Sequence, residues 1–322
     1  MINSSTLQQL RTKFGSRLQE NVPMAGFTSV RIGGPADALL IASSASELEE
    51  YVSFFWELHV PFLLLGGGSN VLVSDKGIRS VVLINRANEI RIAAQSEPPT
   101  AWAESGASLL SMARKVAEFG LSGLEWASPI PGSVGGAVYG NAGAHGGEIC
   151  KCLILAEILH PVKGKLSWDC DQMMFSYRSS RLKQSDTGAV ILAAQFKLEK
   201  STTEEVYAKM KELTDRRRDH QPTGFSIGSV FRNPPGDKAG RLIEAAGLKG
   251  KRFGGAIISQ VHTNFIINDQ NACAGDYFEL IRLAQAEVRN KFNVTLQPEF
   301  ELIGEWDQAS RSLLFGNMCK DE

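Results

Sequence analysis

Apolar residues recur at helical spacing in several stretches of the chain. Leu7, Leu10, Phe14 and Leu18 follow such a pattern, which predicts an amphipathic helix near the N-terminus. A Ser46-x-x-Glu49 capping box predicts a second helix that ends near Leu58. Further helices are predicted over residues 108–119, 203–218, 239–246 and 274–292. The residues after Trp306 are expected to form a loosely held tail.

Apolar runs bounded by glycine or polar turns predict the strands. They cover residues 37–42, 61–65, 71–74, 80–85, 153–160, 189–198, 256–259, 264–268 and 295–303, with two more strands near Ile90 and Trp102. This mixture predicts an α+β protein. A first α/β segment ends near Asn85, and the polar stretch from Lys200 to Thr203 marks a second boundary. We therefore expect domains over residues 1–85, 86–200 and 201–305, followed by the tail 306–322.

Composition narrows the class of protein. The 322 residues are 43% hydrophobic and 21% charged, with a net charge of −1, as is typical of a soluble globular protein. Nothing in the charge indicates binding to nucleic acid or to an anionic membrane. Apolar runs stay short of the roughly 18 residues that span a bilayer. The stretch from Met1 to Lys13 lacks the apolar core of a signal peptide, so we expect a cytoplasmic protein.

The cysteines and histidines do not form a metal-binding pattern. The five cysteines are odd in number and contain no C-x-x-C pair. We interpret them as reduced thiols and expect neither a zinc site nor a disulfide framework. The isolated residues His59, His160 and His262 are interpreted as structural.

Two glycine-rich loops carry the strongest functional signal. The first is Gly66-Gly67-Gly68-Ser69-Asn70, directly after a buried-strand pattern, and the second runs from Pro131 to Gly147. Seven of the sixteen residues from Gly132 to Gly147 are glycine, which lets backbone approach a ligand closely. Taken alone, the first loop favours a tight β-turn over a ligand site. Two such loops favour a polyphosphate or dinucleotide ligand.

The common nucleotide-binding fingerprints do not fit these loops. The chain has no G-x-x-x-x-G-K-[ST] phosphate loop. The segment from Gly66 to Val71 begins like G-x-G-x-x-G, but valine replaces the last glycine and a strand follows where a helix is required. A Walker or Rossmann site is therefore not predicted.

A set of motifs resembles the family of UDP-N-acetylenolpyruvoylglucosamine reductases. The matching stretches, in chain order, are Thr28-x-x-Arg31-Ile32-Gly33-Gly34-Pro35, Gly66-Gly67-Gly68-Ser69-Asn70-x-Leu72-Val73, Gly123-Leu124-Glu125, Ile130-Pro131-Gly132-Ser133-Val134-Gly135-Gly136-Ala137, Asn141-Ala142-Gly143-Ala144, Tyr177-Arg178-x-Ser180, Gly228-Ser229-Val230-Phe231-Arg232-Asn233-Pro234, Leu242-Ile243-Glu244, Gly247-Leu248-Lys249-Gly250, Gly254-Gly255-Ala256 and Pro298-Glu299. The passage from Ala189 to Thr203 carries no tyrosine-bearing insertion, which resembles the shorter, type II branch.

The resemblance implies a fold and a set of ligands. The first two domains would form an FAD-binding unit of the PCMH or vanillyl-alcohol-oxidase type, and the third would be an α/β substrate-binding domain. FAD would bind non-covalently with its diphosphate over the two loops, and NADPH would be the co-substrate. The implied substrate is UDP-N-acetylglucosamine-enolpyruvate, and the product is UDP-N-acetylmuramate, a precursor of peptidoglycan. We expect the protein to be a monomer. The implied cofactor-binding residues are Gly66, Gly67, Gly68, Ser69, Asn70, Pro131, Gly132, Ser133, Gly135, Gly136, Asn141 and Gly143.

The resemblance also implies catalytic residues. Arg178 would bind the substrate carboxylate, Ser229 would donate a proton, and Glu299 would be the third member. From sequence alone, a surface salt bridge, a turn serine and an exposed strand residue are the ordinary alternatives.

Substrate contacts are implied for Tyr177, Asn233 and His220, although His220 is equally placed to end a helix. His145 occupies a position where relatives often carry tyrosine. The run Arg216-Arg217-Arg218 is interpreted as a solvated helix end, with contact to a phosphate as the alternative. Two other functions stay open: an FAD-dependent sugar or alcohol oxidase with the same flavin fold, and a catalytically silent nucleotide-binding protein.

Overall fold

A computed structural model describes residues 2–185 and 188–315. The strands are β1 (Gln19–Pro23), β2 (Pro35–Ala42), β3 (Phe62–Leu65), β4 (Val71–Val73), β5 (Ile78–Asn85), β6 (Ile90–Ala93), β7 (Thr100–Glu104), β8 (Leu121–Ser122), β9 (Gly143–Ala144), β10 (Gly147–Glu148), β11 (Leu153–His160), β12 (Gly164–Trp168), β13 (Val190–Lys197), β14 (Glu199–Lys200), β15 (Arg252–Phe253), β16 (Ala256–Ile258), β17 (Ile266–Asn268) and β18 (Glu301–Ile303). The helices are α1 (Ser4–Phe14), α2 (Ala45–Glu57), α3 (Leu109–Glu118), α4 (Val134–Tyr139), α5 (Ile149–Cys152), α6 (Cys170–Met173), α7 (Arg181–Gln184), α8 (Thr203–His220), α9 (Ala239–Ala245), α10 (Ala274–Phe292) and α11 (Gln308–Phe315).

The chain forms two compact units. Within the described ranges, the first contains residues 2–39, 68–82 and 220–315, and the second contains residues 40–67, 83–185 and 188–219. Over the described ranges, no helix has the length and apolar character needed to cross a membrane. The predicted domain boundaries at residues 85, 200 and 305 stay a prediction.

The second unit is built on a five-stranded antiparallel sheet in the order β12-β11-β13-β7-β6. Small residues face each other in its centre, where Ala194 pairs with Ala103. Helix α3 is capped by Ser108, whose Oγ accepts the N–H of Ser111 at 3.0 Å. The apolar face of α3 packs into the core of this unit, which includes Met112 and Phe196.

The first unit joins distant parts of the sequence. Strand β4 pairs in parallel with β18, so that Leu72 lies beside Leu302. Strands β15, β16 and β17 form an antiparallel sheet in that order, and α9 and α10 belong to the same apolar core. Phe278 of α10 stacks on Trp306 with 5.7 Å between ring centroids.

The structure confirms α10 and most other predicted elements but corrects several details. The prediction of a capping box at Ser46 is wrong, because α2 starts two residues earlier. Ser44 accepts the N–H of Glu47 at 3.2 Å, and the Glu47 carboxylate accepts the N–H of Ser43 at 2.8 Å. The long strand predicted over 295–303 shortens to Glu301–Ile303. The N-terminal helix ends at Phe14.

The prediction of a loose tail after Trp306 is also wrong for the described residues. Residues Gln308–Phe315 form α11, and Leu314 is buried. Gln285 of α10 donates from Nε2 to the carbonyl of Leu314 at 2.9 Å. This helix is therefore attached to the first unit, while residues 316–322 lie outside the described part of the chain.

Candidate functional site

The two predicted glycine loops meet within the second unit at Gly67 and Gly132. A Cβ atom added to Gly67 would lie 3.1 Å from the Cα of Gly132, and one added to Gly66 would collide with the Ser133 hydroxyl. On the outer side, Arg86 donates from Nη1 to the carbonyl of Gly66 at 3.2 Å. Glycine is required here because two backbones pass without space for a side chain.

Most of the second loop is fixed by bonds to neighbouring backbone. Gly135 donates to the carbonyl of Ser105 at 2.7 Å, and Val134 donates to Ala107 at 2.8 Å. A Cβ on Gly135 would lie 2.8 Å from the Cβ of Ser105. Glycine at 135 is therefore required for packing within the protein, whereas the sequence suggested that it allowed a ligand to approach.

Ser133 caps α4, which the sequence did not predict. Its Oγ accepts the N–H of Gly136 at 3.3 Å, so the observed role of this hydroxyl is to cap the helix. Gly143, further along the loop, pairs with Glu148 across the β9–β10 hairpin, where a Cβ would lie 2.8 Å from that of Glu148. Pro131 stays exposed at the start of the loop.

The glycine loops contain backbone amides that do not bond to the protein's own backbone. Among the described residues, no backbone carbonyl accepts the N–H of Gly67, Gly132 or Ser133. Successive N–H groups of this kind form a concavity that binds anions. Because these N–H groups can donate to phosphate oxygens, the residues fit the diphosphate of a dinucleotide such as FAD.

Asn141 has its amide engaged inside the second unit. It is 3% exposed, donates from Nδ2 to the carbonyl of Ser176 at 3.1 Å and accepts the N–H of Cys150 at 3.1 Å. The geometry makes it a support for the loop, and direct contact with a cofactor stays a prediction.

Arg178 lies at the tip of a two-residue hairpin. Ser176 and Ser179 exchange both backbone hydrogen bonds at 3.1 Å, which leaves Tyr177 and Arg178 between them. Arg178 has φ +57°, a left-handed conformation that favours glycine. Its guanidinium lies 5.4 Å from the ring centroid of Tyr177, which is exposed. Strained residues of this kind are concentrated at functional sites.

Ser229 and Glu299 lie on two segments of the first unit that run side by side. The N–H of Glu299 donates to the carbonyl of Val230 at 2.9 Å, and the N–H of Arg232 donates to Gln297 at 2.9 Å. Ser229 and Glu299 are both half-buried. The structure therefore brings these two predicted catalytic residues onto adjoining backbone, whereas Arg178 belongs to the other unit.

Asn264 fixes the Ser229 segment and was not predicted. Its backbone carbonyl accepts the N–H of Val230 at 2.9 Å. Its side chain accepts the N–H of Phe231 at 3.0 Å and donates to the carbonyl of Phe231 at 2.8 Å. The only signal for it in the sequence is an amide at the start of an apolar run.

The end of the first glycine loop belongs to the first unit and contacts the Glu299 segment. Asn70 donates from Nδ2 to the carbonyl of Glu299 at 3.1 Å, and its own carbonyl accepts the N–H of Glu301 at 2.9 Å. Gly68 has φ +60°, and a Cβ there would lie 3.0 Å from the Cα of Thr28. Ser69, between them, is half-buried. The observed role of the Asn70 side chain is thus to hold Glu299.

The predicted substrate contacts in this region differ in their surroundings. Asn233 is exposed and accepts the N–H of Ala239 at 3.0 Å, at the start of α9. His220 is the last residue of α8. Arg232 was missed: its Nε is buried, and no acceptor in the described ranges reaches it. Arg232 is therefore an additional candidate for binding an anionic group.

His145 forms part of the tip of the β9–β10 hairpin, with φ +52°. Burial is the main cause that lowers the pKa of His145, and the positive charges of three residues of α8 lower it further: Arg216, Arg217 and Lys209. Arg217 is not solvated as predicted, because its guanidinium donates to the carbonyl of Pro129 and burial lowers its pKa. The part of α8 near His145 thus carries three cations together with the carboxylate of Glu212, which acts in the opposite direction on the pKa of His145.

The described cysteines, Cys150, Cys152, Cys170 and Cys273, are free thiols. Burial raises the pKa of Cys152 to about 12, so this thiol stays protonated at neutral pH. In the part of the chain that the structure covers, no group of His, Cys, Asp or Glu residues could hold a metal ion. Cys319 lies outside the described residues.

Comparisons with known proteins agree with this arrangement. Residues 36–167 match the family model of an FAD binding domain, and residues 221–303 match that of the UDP-N-acetylenolpyruvoylglucosamine reductase C-terminal domain. The fold and the glycine loops thus define a flavoprotein.

Individual relatives identify the family. The chain is 38% identical over 289 residues to the UDP-N-acetylenolpyruvoylglucosamine reductase of Chloroflexus aggregans, covering 89% of this chain and 97% of the relative. It is 40% identical to that of Bacillus subtilis, covering 92% and 98%. The crystal structure of the Thermus caldophilus enzyme superposes with a TM-score of 0.75 at 34% identity, covering 89% and 99%. The chain belongs to the UDP-N-acetylenolpyruvoylglucosamine reductase family and is an FAD-dependent oxidoreductase.

Proposed function

We propose that this protein uses NADPH to reduce UDP-N-acetylglucosamine-enolpyruvate to UDP-N-acetylmuramate, a precursor of peptidoglycan. The observation that carries the proposal is the pairing of the Ser229 and Glu299 segments through Val230. Two motifs far apart in sequence meet there, as expected if both act on one substrate. Membership of the reductase family supports the same reaction.

The reaction adds a hydride to the methylene carbon of the enolpyruvyl group and a proton to the adjacent carbon. FAD, when bound, would supply the hydride chemistry, with NADPH as its reductant. Negative charge develops on the substrate carboxylate after the hydride adds. The protein must therefore provide a cation for that carboxylate, a proton donor, and a site that holds both in place.

Arg178 is the proposed cation. A guanidinium keeps its charge at any physiological pH and can bind a carboxylate with two parallel hydrogen bonds. The hairpin between Ser176 and Ser179 restricts the backbone of Arg178, which has a left-handed φ. A cation at the tip of a short hairpin can be presented to the substrate carboxylate in one orientation when the hairpin is held in place.

Ser229 is the proposed proton donor. A hydroxyl is a weak acid, so it can donate only to a strongly basic carbon such as the one that hydride addition creates. Both backbone bonds of the next residue, Val230, are made, one to Asn264 and one to Glu299. This support holds the Ser229 backbone in one position while its side chain stays half-buried.

Glu299 is the proposed third member. Its N–H donates to Val230 and its carbonyl accepts from Asn70 at 3.1 Å, so the backbone that carries the carboxyl group is fixed on both sides. The carboxyl group then either polarises the substrate carboxylate or adjusts the acidity of its neighbours.

The finer assignments of ligands and state belong to the same proposal. FAD binds non-covalently with its diphosphate against the amides of Gly67, Gly132 and Ser133. The protein acts as a monomer in the cytoplasm. Size-exclusion chromatography with light scattering checks the monomer, and a dimer mass would contradict it.

The test uses the purified full-length protein. We expect a flavin spectrum, release of the flavin on acid precipitation, and NADPH oxidation only when the enolpyruvyl substrate is present. The product should be heavier than the substrate by one pair of hydrogen atoms. Oxygen uptake with a sugar or an alcohol would indicate the oxidase alternative, and a flavin-free protein without turnover would indicate the silent binding protein.

A further inference from the structure

Gln184 connects the two serines at the base of the hairpin that carries Arg178. Its Nε2 lies 2.9 Å from Oγ of Ser179 and 3.3 Å from Oγ of Ser176. A primary amide has two N–H groups, so one side chain can bond to both sides of the hairpin. Gln184 is the last residue of α7, and none of the family motifs contains it.

Two further bonds attach the same hairpin to the second glycine loop. Asn141 donates to the carbonyl of Ser176 at 3.1 Å, and Ser180 donates from Oγ to the carbonyl of Tyr139 at 2.7 Å. Asn141 is 3% exposed and Ser180 is 0% exposed. Water therefore competes little with these bonds, which hold the base of the hairpin while its tip stays accessible.

The conformation of Arg178 explains why such support is needed. A residue with a Cβ atom is disfavoured at φ +57°, and a two-residue hairpin with only one pair of backbone bonds resists this strain weakly. Without external bonds, the backbone of Arg178 would relax and its guanidinium would move. Gln184 bonds to Ser176 and Ser179, which lie on either side of the segment that would relax.

We propose that Gln184 is a positioning residue that holds Arg178 in the orientation required to bind the substrate carboxylate. Asn141 and Ser180 fix the same hairpin to the glycine loop. This inference rests on the role of Arg178 under the proposed function. Gln184 itself does not contact substrate, so its effect should be confined to ligands that Arg178 recognises.

Calorimetric binding to the oxidised holoenzyme tests this selectivity without turnover. The product UDP-N-acetylmuramate carries the carboxylate, whereas UDP-N-acetylglucosamine lacks it. Gln184→Leu should weaken binding of the product about tenfold and binding of UDP-N-acetylglucosamine less than about twofold, because only the carboxylate contact is displaced. Gln184→Glu should restore most of the affinity, since both serine hydroxyls can donate to a carboxylate.

Matched variants separate positioning from general damage. Gln9→Leu makes the same change on the exposed face of α1 and should leave both affinities as in the wild type. Ser179→Ala removes the nearer partner and should produce a smaller loss with the same selectivity. Equal weakening of both ligands by Gln184→Leu, or unchanged binding of both by Gln184→Leu and Ser179→Ala, overturns the inference.

Arg178→Lys distinguishes failure of the inference from failure of the proposed function. If Arg178→Lys does not weaken product binding selectively, the proposed role of Arg178 is wrong. If it does, the variant carrying both Arg178→Lys and Gln184→Leu should bind the product no more weakly than Arg178→Lys alone, because both changes remove one interaction. Additive losses in the double variant would show that Gln184 acts independently of Arg178.

Discussion

Replacing Asn264 by alanine tests the support of the Ser229 segment. The side chain is 4% exposed and makes two hydrogen bonds to the backbone of Phe231, at 3.0 Å and 2.8 Å. Asn264→Ala removes both bonds but keeps the backbone bond from Val230 to residue 264. The variant therefore loosens this segment without removing its pairing with Glu299.

The magnitude follows from the groups that lose their partners. The N–H and the carbonyl of Phe231 would both stay buried without a hydrogen bond, at about 1–3 kcal/mol each. We expect a total loss of roughly 3 kcal/mol in the free energy of unfolding, a large part of the roughly 5–15 kcal/mol of an ordinary domain. The midpoint of thermal unfolding should fall by about 6–12 °C. Turnover should fall about tenfold because the Ser229 hydroxyl is no longer held in place.

Calorimetric unfolding and steady-state turnover of the holoenzyme measure the two effects. Asn290→Ala on the exposed face of α10 is the matched control and should change neither quantity by more than a small amount. An Asn264→Ala variant that unfolds within about 0.5 kcal/mol of the control would refute the reasoning, since surface substitutions have effects of that size. Normal turnover despite lost stability would show that Ser229 does not depend on this support.

Three other changes address the glycine loops, the cation and the pH dependence. Gly67→Ala should weaken FAD binding to the apoprotein about tenfold, because its Cβ would lie 3.1 Å from the Cα of Gly132 and would push the two loops apart. Gly26→Ala, with no atom within 4 Å of its Cβ, is the control in a fluorescence titration, and equal affinities of the two variants would contradict the prediction. Arg178→Lys should slow oxidation of the prereduced enzyme by the enolpyruvyl substrate more than reduction by NADPH; equal slowing in stopped-flow traces would argue against a carboxylate contact. Burial lowers the pKa of His262, whose Nδ1 accepts the N–H of Asn264 at 3.2 Å, so the unfolded chain binds the proton more readily. The free energy of unfolding should therefore be highest above about pH 6.5 and fall at lower pH, and His262→Asn should flatten this slope in urea titrations at pH 7.5 and pH 5; an unchanged slope would exclude His262 as its source.

Local patterns predicted much of the fold because the signals are themselves local. Helix α10 combines apolar positions at helical spacing with polar residues at both ends, and its predicted bounds are confirmed. The cap at Ser44 was misplaced because Ser43, Ser44 and Ser46 offer similar hydroxyls, and only the position of the Glu47 carboxylate distinguishes them. Helix α11 was missed because its attachment depends on Gln285, a residue distant in sequence.

The site could be predicted as a set of residues but not as a geometry. Family motifs pointed to Ser229 and Glu299, yet the bonds that place them together are made by the backbone of Val230 and by Asn264, and no motif shows that these bonds form. The left-handed φ of Arg178 could not be predicted either. Tyr177 and Arg178, at the tip of its hairpin, are not residues typical of turns. Non-local hydrogen bonds and backbone strain supply this information only in the folded chain.

Single-turnover measurements on Ser229→Ala test the proposed reaction most directly. Under anaerobic conditions the variant should bind FAD and be reduced by NADPH at the wild-type rate, because neither step needs a proton at the substrate carbon. Addition of the enolpyruvyl substrate should then reoxidise it about 10²–10⁴-fold more slowly than the wild type, with partial recovery in Ser229→Cys. Reoxidation of Ser229→Ala at a rate near that of the wild type would contradict the proton-donor role and leave Glu299 or water as the acid.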